Sequence, residues 1–226
     1  MRILTISDTH NQKFKLPEAD ICLHAGDLTM MGTREEVEIQ LKWLNNFRSN
    51  FKHGIYLTPG NHDWLFEKKQ LEARALCEYY GIELLMEESV TIEGIKIYMS
   101  PYQTEFFNWA FNVKPSQILQ KHWQYIPEDT QILVTHGQPY GINDLCLNGH
   151  VGDPALLTRI EQLKDLKVYI GGHIHESAGY TWYNNKLFVN SAVLNGRYRP
   201  LNYCYLIEYS ETPQVEKLDL PNLTEY

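Results

Sequence analysis

Cysteine, basic charge and long apolar runs are all scarce in this sequence, and each scarcity excludes something. The 226 residues hold four cysteines, Cys22, Cys77, Cys146 and Cys204, far apart and with no C-x-x-C pair. So few, so dispersed, in a chain this long do not make a disulfide framework; four free thiols in a reducing compartment are expected. Lys and Arg number 20 against 28 Asp and Glu, a net charge of −8. Affinity for a long phosphate backbone comes mainly from clustered Lys and Arg, so no long nucleic acid is expected as a partner. An acidic surface still permits a local positive site built from metal ions. No apolar run approaches the ~18 residues that span a bilayer. Five residues separate Arg2 from Asp8, too few for a signal-peptide core. A cytoplasmic protein without membrane contact is expected, and nothing in the sequence speaks to its oligomeric state.

What is present is ordinary for a globular chain: 43% hydrophobic and 21% charged residues, enough to bury a core without staples. At ~150 residues per domain the length gives one large domain or a cramped pair. The pattern is alternating. Arg2–Ser7, Ile21–Ala25 and Ile55–Thr58 are short apolar runs that read as buried strands. Between them, Thr33–Asn50 opens on a T-x-x-E capping box and continues with Val37, Leu41 and Leu44 at helical spacing. A second helix is expected over Trp64–Tyr80, with Leu71, Ala75 and Tyr79 on one face and Gly81 as its stop. Ser89–Ile92 and Ile95–Ser100 form a hairpin pattern around Glu93-Gly94, and Gln131–Thr135 and Lys167–Ile170 are further strands. Asp153-Pro154 is a cap and first-turn pair for a helix whose Leu156, Ile160 and Leu163 face inward. Tyr180 to about Leu218 alternates in period two and reads as antiparallel strands. One α/β domain with two sheets and flanking helices is the economical expectation.

Five of these strands end on the same kinds of residue. Asp8-Thr9-His10 follows the first, Gly26-Asp27 the second, and Gly60-Asn61-His62-Asp63 the third. His136-Gly137 follows Gln131–Thr135, and Gly171-Gly172-His173-Ile174-His175 follows Lys167–Ile170. Ligands of open α/β sheets bind outside the carboxyl ends of strands, so these residues converge on one rim. In an extended backbone, i and i+2 side chains share a face, which lets each of Asp8-x-His10 and His173-x-His175 reach one site together. Two carboxylates, an amide and four or five imidazoles exceed one tetrahedral ion. They suit two borderline ions such as Mn, Fe, Zn, Co or Ni.

In their order, D-x-H, G-D, G-N-H-D, H-G and G-H-x-H resemble the calcineurin-like metallophosphoesterase superfamily. The chain is most similar to the branch of metallophosphoesterase-domain-containing proteins and their microbial relatives. Ser100-Pro101-Tyr102-Gln103, Asn108-Trp109-Ala110-Phe111, Thr135-His136-Gly137-Gln138-Pro139 and Gly172-His173-Ile174-His175-Glu176 carry that closer likeness. The resemblance implies a single domain over residues 1–226 with two packed β-sheets flanked by helices, a four-layer αββα sandwich. It implies two divalent ions, manganese favoured, one held by Asp8, His10, Asp27 and His175 and the other by Asp27, Asn61, His136 and His173. It also implies hydrolysis of a small phosphodiester, cyclic nucleotides included, by a hydroxide bridging the ions, with His62 unligated beside the phosphate as acid or hydrogen-bond donor. A phosphomonoesterase or phosphoprotein phosphatase, or a catalytically weak nucleotide-binding protein of the same fold, are the rival expectations. Asp63 stands where many superfamily members have Glu, which puts any supporting role for it in doubt. It reads equally as the cap of the helix that follows.

Other residues stay open. His150, in the sixteen-residue loop Gly137–Gly152, either touches substrate, as Asn61 and His62 are expected to, or shapes its loop. Tyr102, Phe106, Phe107, Trp109 and Phe111 could form a platform for a nucleobase, but packing over the sheet edge is favoured, because aromatics mostly serve cores. His24, His53 and His122 read as structural or solvent-facing.

Overall fold

A computed structural model describes residues 1–221. In chain order the strands and helices are β1 (Arg2–Ile6), β2 (Ile21–His24), α1 (Arg34–Asn45), β3 (Ile55–Leu57), α2 (Trp64–Lys68), α3 (Gln70–Tyr79), β4 (Glu83–Leu84), β5 (Glu88–Ile92) and β6 (Ile95–Ser100). There follow the short strands β7 (Gln103–Thr104) and β8 (Asn112–Val113), then α4 (Pro115–Lys121), β9 (Ile132–Thr135), and the short pair β10 (Leu145–Cys146) and β11 (Gly149–His150). The chain closes with α5 (Pro154–Gln162), β12 (Val168–Gly171), β13 (Gly179–Tyr183), β14 (Lys186–Asn190), β15 (Cys204–Glu208) and β16 (Gln214–Leu218). Six strands order as β16-β15-β1-β2-β3-β4 in one sheet and six as β13-β14-β12-β9-β6-β5 in the other.

The alternation of side chains across each strand builds three apolar layers. In β1, Leu4 and Ile6 pack toward the helices α1 and α3, with Val37, Leu41, Leu44 and Cys77, while Ile3 faces the other sheet. Ile132 and Val134 of β9 meet Ile3, Ile21 and Leu23 between the sheets, and Leu133 turns outward to Ile118, Leu156 and Ile160 of α4 and α5. The result is helix, sheet, sheet, helix, the layering that binary patterning of fully buried strands requires. Among the described residues no helix is long and apolar enough to cross a membrane.

Local expectations hold at α1 and α5. Thr33 accepts from the Glu36 N–H at 3.2 Å and Glu36 reaches back to the Thr33 N–H at 3.1 Å, a reciprocal cap that stabilises by about 1 kcal/mol. Asp153 accepts from the Ala155 N–H. Two expectations fail. The chain between Trp64 and Tyr80 is two helices, broken at Lys69, whose φ of −141° is not helical. Leu71, Ala75 and Tyr79 form its outer face, with Leu71 86% and Tyr79 81% exposed. α2 buries Leu65 and Phe66, and α3 turns Ala73, Leu76 and Cys77 to the core; the same five would share one face of a continuous helix, so the apolar period carries no sign of the break. The tail is also not wholly antiparallel: β14 pairs antiparallel with β13 but parallel with β12.

Candidate metal centre

β1, β2 and β3 of one sheet and β9 and β12 of the other end at the same edge, where Ser7 bridges Ala192 and ties the sheets together. Asp8, His10, Asp27, Asn61, His62 and His136 are all buried there, and His173 and His175 lie half-buried beside them. Asp8-x-His10 and His173-x-His175 do not reach the site by extended alternation, as the sequence suggested. Asp8, His10, Asp27 and His173 all adopt left-handed backbone, with φ of 55°, 41°, 52° and 68°. Left-handed conformations of non-glycine residues cost energy and persist only where surrounding contacts impose them. Here the turns throw each side chain back across the strand end.

The donor atoms gather in two groups that share Asp27. His175 Nε2 lies 3.1 Å from Asp8 Oδ1 and 3.3 Å from His10 Nε2, and His10 Nε2 lies 3.6 Å from Asp27 Oδ2. On the other side, His136 Nε2 lies 3.4 Å from the same Asp27 Oδ2 and 3.0 Å from Asn61 Oδ1, with His173 completing a cluster with Asp27 and His136. Metal–nitrogen bonds of about 2.0–2.1 Å place neighbouring ligand atoms ~3.0–3.4 Å apart, the spacing of all these pairs but His10–Asp27, which is slightly wider at 3.6 Å. The donor set therefore fits two nitrogen- and oxygen-loving divalent ions around one shared carboxylate.

Contacts behind these side chains fix which atom each one turns to the cluster. His136 Nδ1 meets the Ala25 carbonyl at 2.9 Å and His175 Nδ1 the Asn195 carbonyl at 3.0 Å, so each ring's Nδ1–H is taken and Nε2 faces the cluster. Asp27 Oδ1 accepts the His62 N–H at 2.8 Å, leaving Oδ2 for the shared position. Both oxygens of Asp8 accept the His173 N–H, at 3.1 and 3.0 Å. Gly26, at φ +103°, and Gly172 pass so close to His136 and to Asp8 respectively that a Cβ on either would overlap them.

Burial alone would make every imidazole here neutral. It does so for His10 and His173, both lowered to about 4. At His136 the Asp27 carboxylate outweighs burial and raises the ring to about 9; at His175 Asp8 does the same, also to about 9. Reciprocally, burial works to raise Asp8 and Asp27, and their histidine partners overcome it and hold both carboxyls below the usual range. Without ions the cluster is thus two balanced ion pairs, already assembled.

Asp63 occupies the cap position of α2 but makes no cap hydrogen bond. Its carboxylate accepts from the Leu28, Thr29 and Gly60 N–H groups at 3.1, 2.9 and 2.8 Å and from the Thr29 hydroxyl at 2.6 Å. It pins the loop bearing Asp27 to the loop bearing Asn61, and the shorter acid suffices for that. His62 places Nδ1 2.6 Å from the Met30 carbonyl and stacks on Trp109, ring centroids 4.1 Å apart. It also falls within 4.8 Å of the ligand atoms of His10 and Asp27. His150 is not brought to this cluster: its Nδ1 lies 2.6 Å from buried Asp144, which also accepts from Gly141 and Gly152 and so shapes the loop. The aromatic segment divides, with Phe111 in the core and Phe106, Phe107 and Trp109 bordering the cleft. Sequence reasoning passed over Tyr198, whose ring stands edge-on to His10 at 4.9 Å and to His175 at 5.6 Å. It lies in an irregular loop between β14 and β15, where no periodicity or spacing points to it.

A family model, calcineurin-like phosphoesterase, matches residues 1–177. Metallophosphoesterase domain-containing protein 1 of Homo sapiens is 30% identical, over 89% of this chain and 68% of its own length. A Caenorhabditis elegans UPF0046 protein is 28% identical over 99% of this chain and 63% of its own. Among solved structures, a dimetal phosphatase from Danio rerio superposes with a TM-score of 0.58 over 99% of this chain and 98% of its own, at 10% identity, a likeness of fold. With the family model covering all five strand-end motifs, the chain belongs to the calcineurin-like phosphoesterases.

Proposed function

We propose that this protein hydrolyses small phosphodiesters, cyclic nucleotides among the candidates, on a pair of divalent ions with manganese the favoured metal. The observation that carries the reading is the shared Asp27 Oδ2, 3.6 Å from one histidine set and 3.4 Å from the other. Asp8, His10, Asp27 and His175 would hold one ion, and Asp27, Asn61, His136 and His173 the other. Bound there, such ions supply Lewis acidity and an activated water for attack on phosphorus. The chain's own residues do the rest. His62, its Nδ1–H given to the Met30 carbonyl, keeps that bond through a cycle in which Nε2 gives its proton to the leaving oxygen. Trp109 holds the ring by stacking. Among the described residues no Lys or Arg lines the cleft, so the ions would supply its positive charge.

The test is a panel of bis-p-nitrophenyl phosphate, a 2′,3′- or 3′,5′-cyclic nucleotide and p-nitrophenyl phosphate, each with Mn²⁺, Fe²⁺, Zn²⁺, Co²⁺ or Ni²⁺. Diester turnover above monoester turnover is expected. His62→Gln should lower kcat by about 10²–10⁴, more for ribose hydroxyls than for p-nitrophenolate, with metal content unchanged. Metal-loaded protein that turns over no ester is the nucleotide-binding alternative and ends this reading.

A further inference from the structure

Three aromatic residues, Phe107, Phe111 and Tyr198, hold left-handed backbone, with φ of 49°, 56° and 56°. Bulky side chains are rare in that region, and such strain persists only where surrounding contacts impose it. At Phe111 the reason is packing, since its ring is buried in the core beneath the helices. Phe107 and Tyr198 belong to none of the three core layers, and they are 78% and 42% exposed. Core packing does not account for them.

An asparagine holds each of the two turns. Asn112 Nδ2 donates to the Phe106 and Phe107 carbonyls at 3.1 and 2.9 Å, and its Oδ1 accepts from the Phe106 N–H at 3.3 Å. Asn195 Oδ1 accepts from the Arg197 and Arg199 N–H groups at 2.9 and 3.1 Å, and the Asn195 carbonyl accepts from the Tyr198 N–H at 2.8 Å. Gln12 Nε2 adds a bond to the Tyr198 carbonyl at 2.7 Å. Local amide-to-backbone bonds of this kind fix a turn without any apolar anchor. Phe107 lies between β7 and β8 and Tyr198 between β14 and β15, yet both side chains line the metal cleft.

Aromatic rings border both candidate ion positions. Tyr198 flanks His10 and His175, and Phe106, which meets Phe107 edge-on at 4.5 Å, stands 5.8 Å from His173. An ester held at the ions therefore carries its organic group out among these rings. Ring faces and edges favour another flat ring beyond what its area alone would give. Charge narrows the group further. Glu176 lines the cleft and would repel an anion, while the ions would repel a cation attached close to phosphorus.

We propose that Phe107 and Tyr198 are specificity-determining residues that pack on the organic group of the substrate, and that this group bears a flat, uncharged aromatic ring. The proposal rests on the phosphoesterase reading of the cleft they line. The left-handed turns cost stability and present the two rings at the cleft. Phe107 and Tyr198 set which ester is selected, while the ions set what happens to it.

The experiment titrates metal-loaded protein by calorimetry with benzylphosphonate and 4-phenylbutylphosphonate, whose P–C bonds are not hydrolysed, and with the cyclohexyl counterpart of each. The two lengths carry the ring next to phosphorus or about a sugar's length away. At the length that binds more tightly, the phenyl compound should bind about 2–10-fold more tightly than its cyclohexyl counterpart. Phe107→Gly and Tyr198→Gly should each reduce that preference and the double variant should abolish it, while inorganic phosphate affinity and metal content stay native. Tyr198→Phe keeps the ring and should keep the preference. Glycine adopts left-handed backbone freely, so neither glycine variant should lower Tm, whereas removing a ring that served packing would. Equal affinity of phenyl and cyclohexyl compounds for the native protein at both lengths, an undiminished preference in the double variant, or a Tm lowered by either glycine would overturn the proposal. Inorganic phosphate that binds normally in that case leaves the cleft reading standing; phosphate and phosphonates that all fail to bind remove the cleft reading instead.

Discussion

Gly172→Ala is the smallest change that tests whether the backbone behind the ligands sets the metal site. Gly172 has no unusual backbone angle to protect, so alanine brings only a methyl group. That methyl would fall on Ser7 Oγ and on Asp8 Oδ2, each of which would have to retreat by about 1 Å to reach an ordinary contact. Neither has room. Ser7 is buried and its hydroxyl donates to the Gly26 carbonyl at 3.2 Å, and buried Asp8 is held by the His173 N–H and by His175. Overpacking of this kind costs about 1–3 kcal/mol, which for a chain of this size lowers Tm by roughly 2–12 °C. The functional cost should be larger, because a carboxylate moved by ~1 Å loses its ligand geometry and a misplacement of that size costs about 100-fold in rate. Metal affinity should fall about 10–100-fold, as it does when groups that orient ligands are lost. The assay is a Mn²⁺ titration of metal-free protein, with a thermal melt on the same sample. Adding Ser7→Ala removes the overlap with Ser7 Oγ and leaves those with Ser7 Cβ and Asp8 Oδ2, so it should restore part of the Tm and little of the metal affinity. Native affinity in Gly172→Ala, or full rescue of affinity by Ser7→Ala, would refute the claim that the methyl acts through Asp8.

Asp27→Asn should be the most damaging single ligand change, with metal content by elemental analysis falling at both positions rather than one; loss of a single ion would show that Asp27 is not shared. Trp109→Ala, removing the stack on His62, should lower kcat by about 2–10-fold with KM and metal content held, and a change confined to KM would contradict a positioning role. Asp63→Ser should destabilise the protein, because serine caps helices as well as aspartate does but cannot accept from three backbone N–H groups; a native Tm would restore the cap reading. Burial, with Asp27 adding to it, raises the Asp63 carboxyl from 3.8 to about 6. A carboxyl raised in the fold favours its protonated form there, so its contribution falls as pH rises between those values. The stability of metal-free native protein relative to Asp63→Asn, from urea melts, should therefore shrink from pH 3.8 to 6 and stay level above; growth over that window would reverse the sign.

The layer order and the gathering of Asp, Asn and His residues at one edge were legible because both follow from short-range rules. Continuous apolar runs mark strands buried on two faces, and a strand end that carries Asp, Asn or His in place of apolar residues marks the rim. The capping box at Thr33 and the side-chain cap at Asp153 are likewise local chemistry. What escaped depends on partners distant in sequence. The break at Lys69 closes a short α2 whose Glu67 accepts from the Phe111 N–H at 2.7 Å, 44 residues away. Asp63 looked like a cap because sequence shows its place before a helix and hides the three loop amides around it. Tyr198 comes from an irregular loop, and the left-handed turns at Asp8, His10, Asp27 and His173 replace the extended geometry that simple i, i+2 counting assumed.

Those turns, the close glycines and the backbone acceptors behind His136 and His175 belong to one physical problem. Two carboxylates and four imidazoles buried within one cluster would repel or demand solvent unless their charges are matched in advance. Without ions, raised His136 and His175 face lowered Asp27 and Asp8, giving two positive and two negative charges and no net charge to expel. Two divalent ions displacing those two protons would leave the cluster at +2, from +4 on the ions and −2 on the carboxylates. These side chains need not move, since hydrogen bonds to the Ala25 and Asn195 carbonyls and from the His62 and His173 N–H groups already set them. A protein with a net charge of −8 can thus present a phosphate with a positive site. It does so without the Lys or Arg that would also attract polyanions to the surface, and that selectivity comes from holding the charge in a cluster rather than spreading it over a face.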